Sequence, residues 1–116
     1  MLMSDHYNKM IDFSIDIESL SEFNSPFKFN YFLSEDEMKS KNQISLLGKV
    51  AVKKAFFKVI GIKEEYKKIE VKKEDSGRPY ILIKDEKIKE KLKNKKICVS
   101  ISHTKDIAVA VCLIYE

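Results

Sequence analysis

Residues Phe13-Ser14-Ile15-Asp16-Ile17 alternate apolar and polar side chains, the period of a strand that turns one face to a core. That spacing predicts a short half-buried strand with Asp16 on its polar, solvated face. Ser34-Glu35-Asp36-Glu37 has the spacing of a capping box and predicts a helix start. From Gln43 to Ile60 the apolar residues Ile44, Leu47, Val50, Ala51, Phe56, Phe57, Val59 and Ile60 recur at helical intervals, and Gly61 follows where a C-terminal cap belongs. Lys68 to Lys73 reads as a strand with Ile69 and Val71 on one face. Glu74-Asp75-Ser76-Gly77-Arg78-Pro79 is a turn by composition, and Tyr80 to Ile83 is the returning strand. Asp85 to Lys93 predicts a short exposed helix anchored by Ile88 and Leu92. Two further strands, Ile97 to Ser102 and Ile107 to Tyr115, join at His103-Thr104-Lys105-Asp106. In the first of them Ile97, Val99 and Ile101 face one way, and Cys98, Ser100 and Ser102 the other. The pattern predicts one α+β domain over residues 1–116, an antiparallel sheet packed on one long helix, with 1–11 as a flexible N-terminal extension.

Composition narrows the partners. The chain has 116 residues, 44% hydrophobic and 34% charged, with a net charge of +4, the balance of an ordinary globular protein. Of its 22 basic residues only Arg78 is an arginine. Sequence-specific nucleic-acid readout favours bidentate arginine, whereas lysine acts as a point charge, so a base-reading function is excluded. No run approaches the roughly 20 apolar residues that span a bilayer. Met1 to Met10 contains Asp5 and His6 and lacks an apolar core, so no signal peptide is expected. Cys98 and Cys112 are expected as buried free thiols in a reducing cytoplasm.

Candidate chemistry begins with Lys54 and Lys58, one helical turn apart in Lys53-Lys54-Ala55-Phe56-Phe57-Lys58. Like charges at this spacing repel by about 0.2–0.5 kcal/mol. An open surface tolerates that, and so does a site where an anion lies between the ammonium groups. The stripe also carries apolar Leu47 and Ala51, which sets the two lysines at a rim between core and solvent. A bland alternative is a solvated lysine-rich face. A general polyanion binder is a further alternative, resting on the seven lysines from Lys84 to Lys96, which Asp85, Glu86 and Glu90 partly balance.

Four pieces stand in order: Ser14-Ile15-Asp16 on an early strand, the lysine-bearing helix ending in Gly61, Ser76-Gly77-Arg78-Pro79, and Ser100-Ile101-Ser102-His103-Thr104 before a last strand. In this order, from about Asp12 to the C-terminus, the chain resembles the 4′-phosphopantetheinyl transferases, specifically the small holo-acyl-carrier-protein synthases. Phe32-Leu33-Ser34-Glu35-Asp36-Glu37 also resembles the family's stretch before its lysine helix. The resemblance implies that the phosphopantetheine arm of coenzyme A is moved to a serine of an acyl carrier protein, releasing adenosine 3′,5′-bisphosphate. It implies a homotrimer with sites between subunits. By position, Asp16 would bind magnesium and Lys58 would contact the phosphate being cleaved. Ser102, His103 and Thr104 would hold the nucleotide phosphates, and Gly77, Arg78 and Pro79 would lie near the adenosine. Fixed positive charge suits attack on a pyrophosphate, where anionic oxygens crowd.

The chain departs from the family at three places. The family helix reads lysine-glutamate-alanine, and its glutamate helps hold magnesium; here that position is Lys54. The glycine two residues before the metal aspartate is Ser14. The segment Glu18 to Lys28, basic in the family for docking acidic carriers, carries Glu18 and Glu22, with Lys28 as its base. One protonated lysine matches the net charge of a glutamate with magnesium. The expectation is that Lys54 takes the metal's place and grips the pyrophosphate with Lys58, with Asp16, Lys54 and Lys58 as the catalytic group. The competing expectation is an Asp16–Lys54 ion pair filling a silent site in a coenzyme A-binding or scaffold relative.

Overall fold

The computed structural model describes residues 12–23, 26–40 and 42–116. The stretch 1–11, expected to be a flexible extension, lies outside the described residues. Among the described residues five strands and three α-helices follow in chain order: β1 (Asp12–Ser19), α1 (Pro26–Phe32), α2 (Gln43–Ile60), β2 (Ile69–Lys73), β3 (Pro79–Ile83), α3 (Glu86–Lys91), β4 (Lys96–His103) and β5 (Ile107–Tyr115).

Helix α2 is the spine. The Asn42 side chain accepts a hydrogen bond from the Ile44 N–H at 3.0 Å and so caps its start. Gly61 ends it in the left-handed region (φ 67°), with its N–H donating to the Phe57 carbonyl at 3.0 Å, a conformation that favours glycine. Leu47, Val50, Ala51, Val52, Ala55 and Phe56 of this helix are fully buried. They pack on an antiparallel sheet of order β1-β5-β4, while β2 and β3 form a separate hairpin. Contact is close where α2 crosses β4: a Cβ at Gly48 would lie 3.0 Å from Ile101 Cγ2.

The α+β architecture and the long helix agree with the periodicity, but three local expectations do not hold. First, the capping box at Ser34 forms, with the Ser34 N–H donating to Glu37 Oε1 at 2.9 Å and the Glu37 N–H to Ser34 Oγ at 3.2 Å. It caps only one 3₁₀ turn, Glu37–Lys39, because Ser40 leaves helical geometry at ψ 131° and Asn42 opens a new cap at once. Second, α1, which no periodic pattern announced, precedes it.

Third, β1 is inverted relative to expectation. Its apolar residues Phe13, Ile15 and Ile17 are 59%, 46% and 65% exposed, while Ser14 and Glu18 are buried. The register explains this. Ser14, Asp16 and Glu18 lie opposite Cys112, Ala110 and Ala108, all fully buried beneath α2. Directly opposed residues share a face, so the polar set is carried inward.

Cys98 and Cys112 are free. Cys98 lies opposite Leu113 and Cys112 opposite Val99, so the thiols leave opposite faces of the sheet. Burial pushes the Cys112 thiol up to about 12.

Candidate active site

Alternation along β1 sends Asp16 and Glu18 to the same inner face, where α2 presents Lys54 and Lys58 one turn apart. Lys54 Nζ lies 3.2 Å from Glu18 Oε1 and 3.1 Å from Oε2. Lys58 Nζ donates to the Ile15 carbonyl at 2.8 Å and stands 3.7 Å from Asp16 Oδ1. The two ammoniums therefore have a carboxylate each. The Asp16–Lys54 ion pair expected for a silent site is replaced by a crossed arrangement, Lys54 with Glu18 and Lys58 with Asp16. The reason is reach: Glu18 is two residues further along the strand than Asp16, and Lys54 one helical turn before Lys58, on antiparallel courses. The rim position of the lysines holds. Lys54 is 30% and Lys58 56% exposed at the side chain, above fully buried Leu47 and Ala51. Lys54 Nζ also sits 5.1 Å from the centre of the Phe32 ring and 5.9 Å from that of Phe23, a cation–π setting.

Asp16 is the strained member. Its Oδ2 is buried and has no hydrogen-bond partner. Burial, and then the neighbouring Glu18 carboxylate, raise its pKa from 3.8 to about 7, against the pull of Lys54 and Lys58. An acid raised by folding holds a proton that the unfolded chain has released. The stability it contributes is fully present below 3.8 and is lost as pH rises through about 7. Melting temperature should therefore fall across that window, with Glu18, Lys54 and Lys58 facing the group throughout. Asp16→Asn should flatten the slope and melt higher than wild type at neutral pH; a wild type whose melting temperature rises steadily across the window would contradict the assignment.

The other predicted site residues lie on the far flank of α2. Gly77, Pro79 and His103 line a cavity of about 490 Å³ with Gly48, Lys49 and Ile101. His103 and Glu18 both lie opposite Ala108, on either side of β5, so two strand spacings, about 10 Å, separate their backbones. Ser102 points from the opposite, outer face of β4. Thr104 Oγ1 accepts the Asp106 and Ile107 N–H groups at 3.1 Å and shapes the turn. Arg78 is exposed and donates to Cys98 Sγ at 3.8 Å. Within one protomer the groove beside Glu18 and Lys54 and the glycine–proline–histidine cavity share no lining residue.

Glu18 is the member of this cluster that the sequence reading did not count among the site residues. Its signal was present, because a period of two puts it beside Asp16 whichever way the strand turns.

Magnesium prefers six oxygen donors in near-octahedral array. Both Glu18 oxygens already face Lys54, one Asp16 oxygen faces Lys58, and only Asp16 Oδ2 is unclaimed. Two ammoniums offset two carboxylates, leaving no excess negative charge for a divalent ion. Among the described residues no group of three or more histidine, cysteine, aspartate or glutamate side chains could hold a metal. As arranged, the donor set does not fit the magnesium ion that the resemblance implied at Asp16.

No family model matches the chain. A holo-[acyl-carrier-protein] synthase of Halothermothrix orenii is 34% identical to it over 96 residues, covering 78% of this chain and 74% of the relative. One from Caldicellulosiruptor saccharolyticus is 32% identical over 120 residues, covering 92% and 97%. Among solved structures, the Helicobacter pylori holo-[acyl-carrier-protein] synthase in complex with coenzyme A superposes with a TM-score of 0.72 at 31% identity, covering 90% of this chain and 99% of that one. Agreement of sequence and fold over nearly the whole length makes the chain a member of the holo-[acyl-carrier-protein] synthase family, the small type of 4′-phosphopantetheinyl transferase.

Proposed function

We propose that this protein transfers the 4′-phosphopantetheine arm of coenzyme A to a serine of an acyl carrier protein, in the cytoplasm, as a homotrimer with its sites between subunits. The carrying observation is the Lys54–Lys58 pair over Asp16 and Glu18, in a fold shared with the Helicobacter pylori synthase that binds coenzyme A. Each ammonium has three donors, and the contacts to Glu18, Asp16 and Ile15 leave donor capacity at the exposed rim. Lys58 would hold the phosphoryl group being transferred. The serine oxygen forms a bond to the phosphorus that carries pantetheine as the diphosphate bond breaks, and adenosine 3′,5′-bisphosphate leaves with the electron pair. The Asp16 carboxyl, raised by folding to about 7, would take up the serine proton. Ser102, His103 and Thr104, with Gly77, Arg78 and Pro79, would take the nucleotide from a neighbouring subunit.

Two features support the trimer. The lysine cluster and the His103 cavity lie on opposite flanks of α2, so neither flank holds the full set. The outer sheet face exposes Phe13, Ile15, Ile17 and Ile107 together, a patch that monomeric proteins rarely leave bare. Among the described residues no helix is long and apolar enough to cross a membrane.

Incubating the protein with coenzyme A and an apo carrier, then weighing the carrier by mass spectrometry, tests the reaction. The expected result is a mass gain of one phosphopantetheine group. An unmodified carrier alongside measurable coenzyme A binding would support the silent scaffold instead. For the assembly, Ile17→Lys should convert a trimer to monomers in light scattering and abolish transfer; a wild type that is monomeric at micromolar concentration and active would overturn the shared site.

A further inference from the structure

Beyond the reaction itself, the cluster carries a specific statement about Glu18. Glu18 is buried on the inner face of β1, a position where a charged group is costly unless paired. Both its oxygens face the Lys54 ammonium. Lys54 leaves the helix where the family has a metal-binding carboxylate, and the donors that remain do not suit a divalent ion. We infer that Glu18 and Lys54 are an exchanged charge pair: the second carboxylate has moved from the helix to the strand, where it pins the Lys54 ammonium in the space of the metal, so that the diphosphate of coenzyme A is held by ammonium groups without a divalent ion.

This rests on the transferase reading for the identity of the ligand, and it assigns Glu18 a positioning role. Three properties of the site favour it. The pair lines a groove of about 430 Å³ together with Ile17, Glu22, Phe23, Lys28 and Phe32. The rings of Phe23 and Phe32 lie beside the ammonium and limit where it can swing. Lys58, one turn on, is tied to the Ile15 carbonyl on the same strand, which fixes the spacing between the two cations. An anion bridging them would be held by charge-assisted hydrogen bonds.

The test is calorimetric titration of coenzyme A into wild type, Glu18→Gln and Lys54→Glu, each in chelator and in magnesium, with manganese binding followed by electron paramagnetic resonance. Wild type should bind coenzyme A equally in both buffers, within about twofold, and immobilise no manganese. Glu18→Gln removes a negative charge, which by bulk electrostatics alone would tighten anion binding. If the carboxylate pins Lys54, affinity should instead weaken by about tenfold. Lys54→Glu should bind coenzyme A only with a divalent ion and should give an immobilised manganese signal. Wild-type affinity that collapses in chelator, or a Glu18→Gln protein that binds as tightly as wild type or tighter, would overturn the inference while leaving the transferase reading intact. A wild type that binds no coenzyme A in either buffer would remove both. Should Lys54→Glu fail to fold, the wild-type and Glu18→Gln titrations decide the matter alone.

Discussion

Replacing Lys53 by alanine should destabilise the fold by about 3–5 kcal/mol, the range for stripping one partner from a buried ion pair. Lys53 is fully buried; its ammonium donates to Glu37 Oε1 at 2.6 Å and to the Phe32 carbonyl at 2.8 Å. Glu37 is buried too, and its second oxygen accepts the Val71 N–H at 2.7 Å. These two side chains thus join α2, the end of α1, the Ser34 turn and the β2–β3 hairpin. Burial pulls the Lys53 ammonium below the usual lysine range, while the Glu37 carboxylate opposes that shift. Without the ammonium, the Glu37 carboxylate would lose its hydrogen-bonded counter-charge in the interior. Against a total stability of about 5–15 kcal/mol, the loss is a large share. The melting temperature should drop by about 10–20 °C for a domain of this size. A Lys53→Ala protein that melts within about 2 °C of wild type would show the pair to be energetically idle.

Lys58→Ala should lower kcat/KM for coenzyme A by about 10²–10³ with the fold intact, the cost seen when one preorganised charge-stabilising donor is removed. More than half of the Lys58 side chain is exposed, and its fixed contacts are the Ile15 carbonyl and the edge of Asp16, so its loss leaves no cavity. Lys58→Arg should recover part of the rate, because the charge returns on a planar head with different reach. Steady-state transfer assays across coenzyme A concentrations would separate a binding loss from a loss in turnover. A Lys58→Ala enzyme within about threefold of wild type would remove this residue from the reaction.

Most of the architecture was legible because long periodic segments speak clearly. Helix α2, its glycine stop, the β2–β3 hairpin and the last two strands all follow from apolar spacing and turn residues. What misled was β1, where the pattern gave the right period and the wrong side. Alternation alone turns apolar Phe13, Ile15 and Ile17 to the core, and only the pairing of Ser14, Asp16 and Glu18 with Cys112, Ala110 and Ala108 reveals the opposite choice. The site was half legible for the same reason. Asp16 and the two lysines carried motif-level signals, whereas Glu18 matters through a contact with Lys54 across 36 residues of sequence, which no local window contains. The short helix α1 escaped because aromatic residues dominate it and no polar face repeats.

Strand β1 has two clients, and they depend on the same frame. Its even-numbered residues carry the proposed chemistry, and its odd-numbered ones form the greasy exterior on which neighbouring copies would settle. Sliding the strand by a single residue would exchange the sets, thrusting Phe13, Ile15 and Ile17 beneath the helix and stranding both acids on the outside. Insertions or deletions of one residue here should therefore extinguish catalysis and self-association in one stroke, whereas a two-residue slip would preserve the alternation and misplace only the acids.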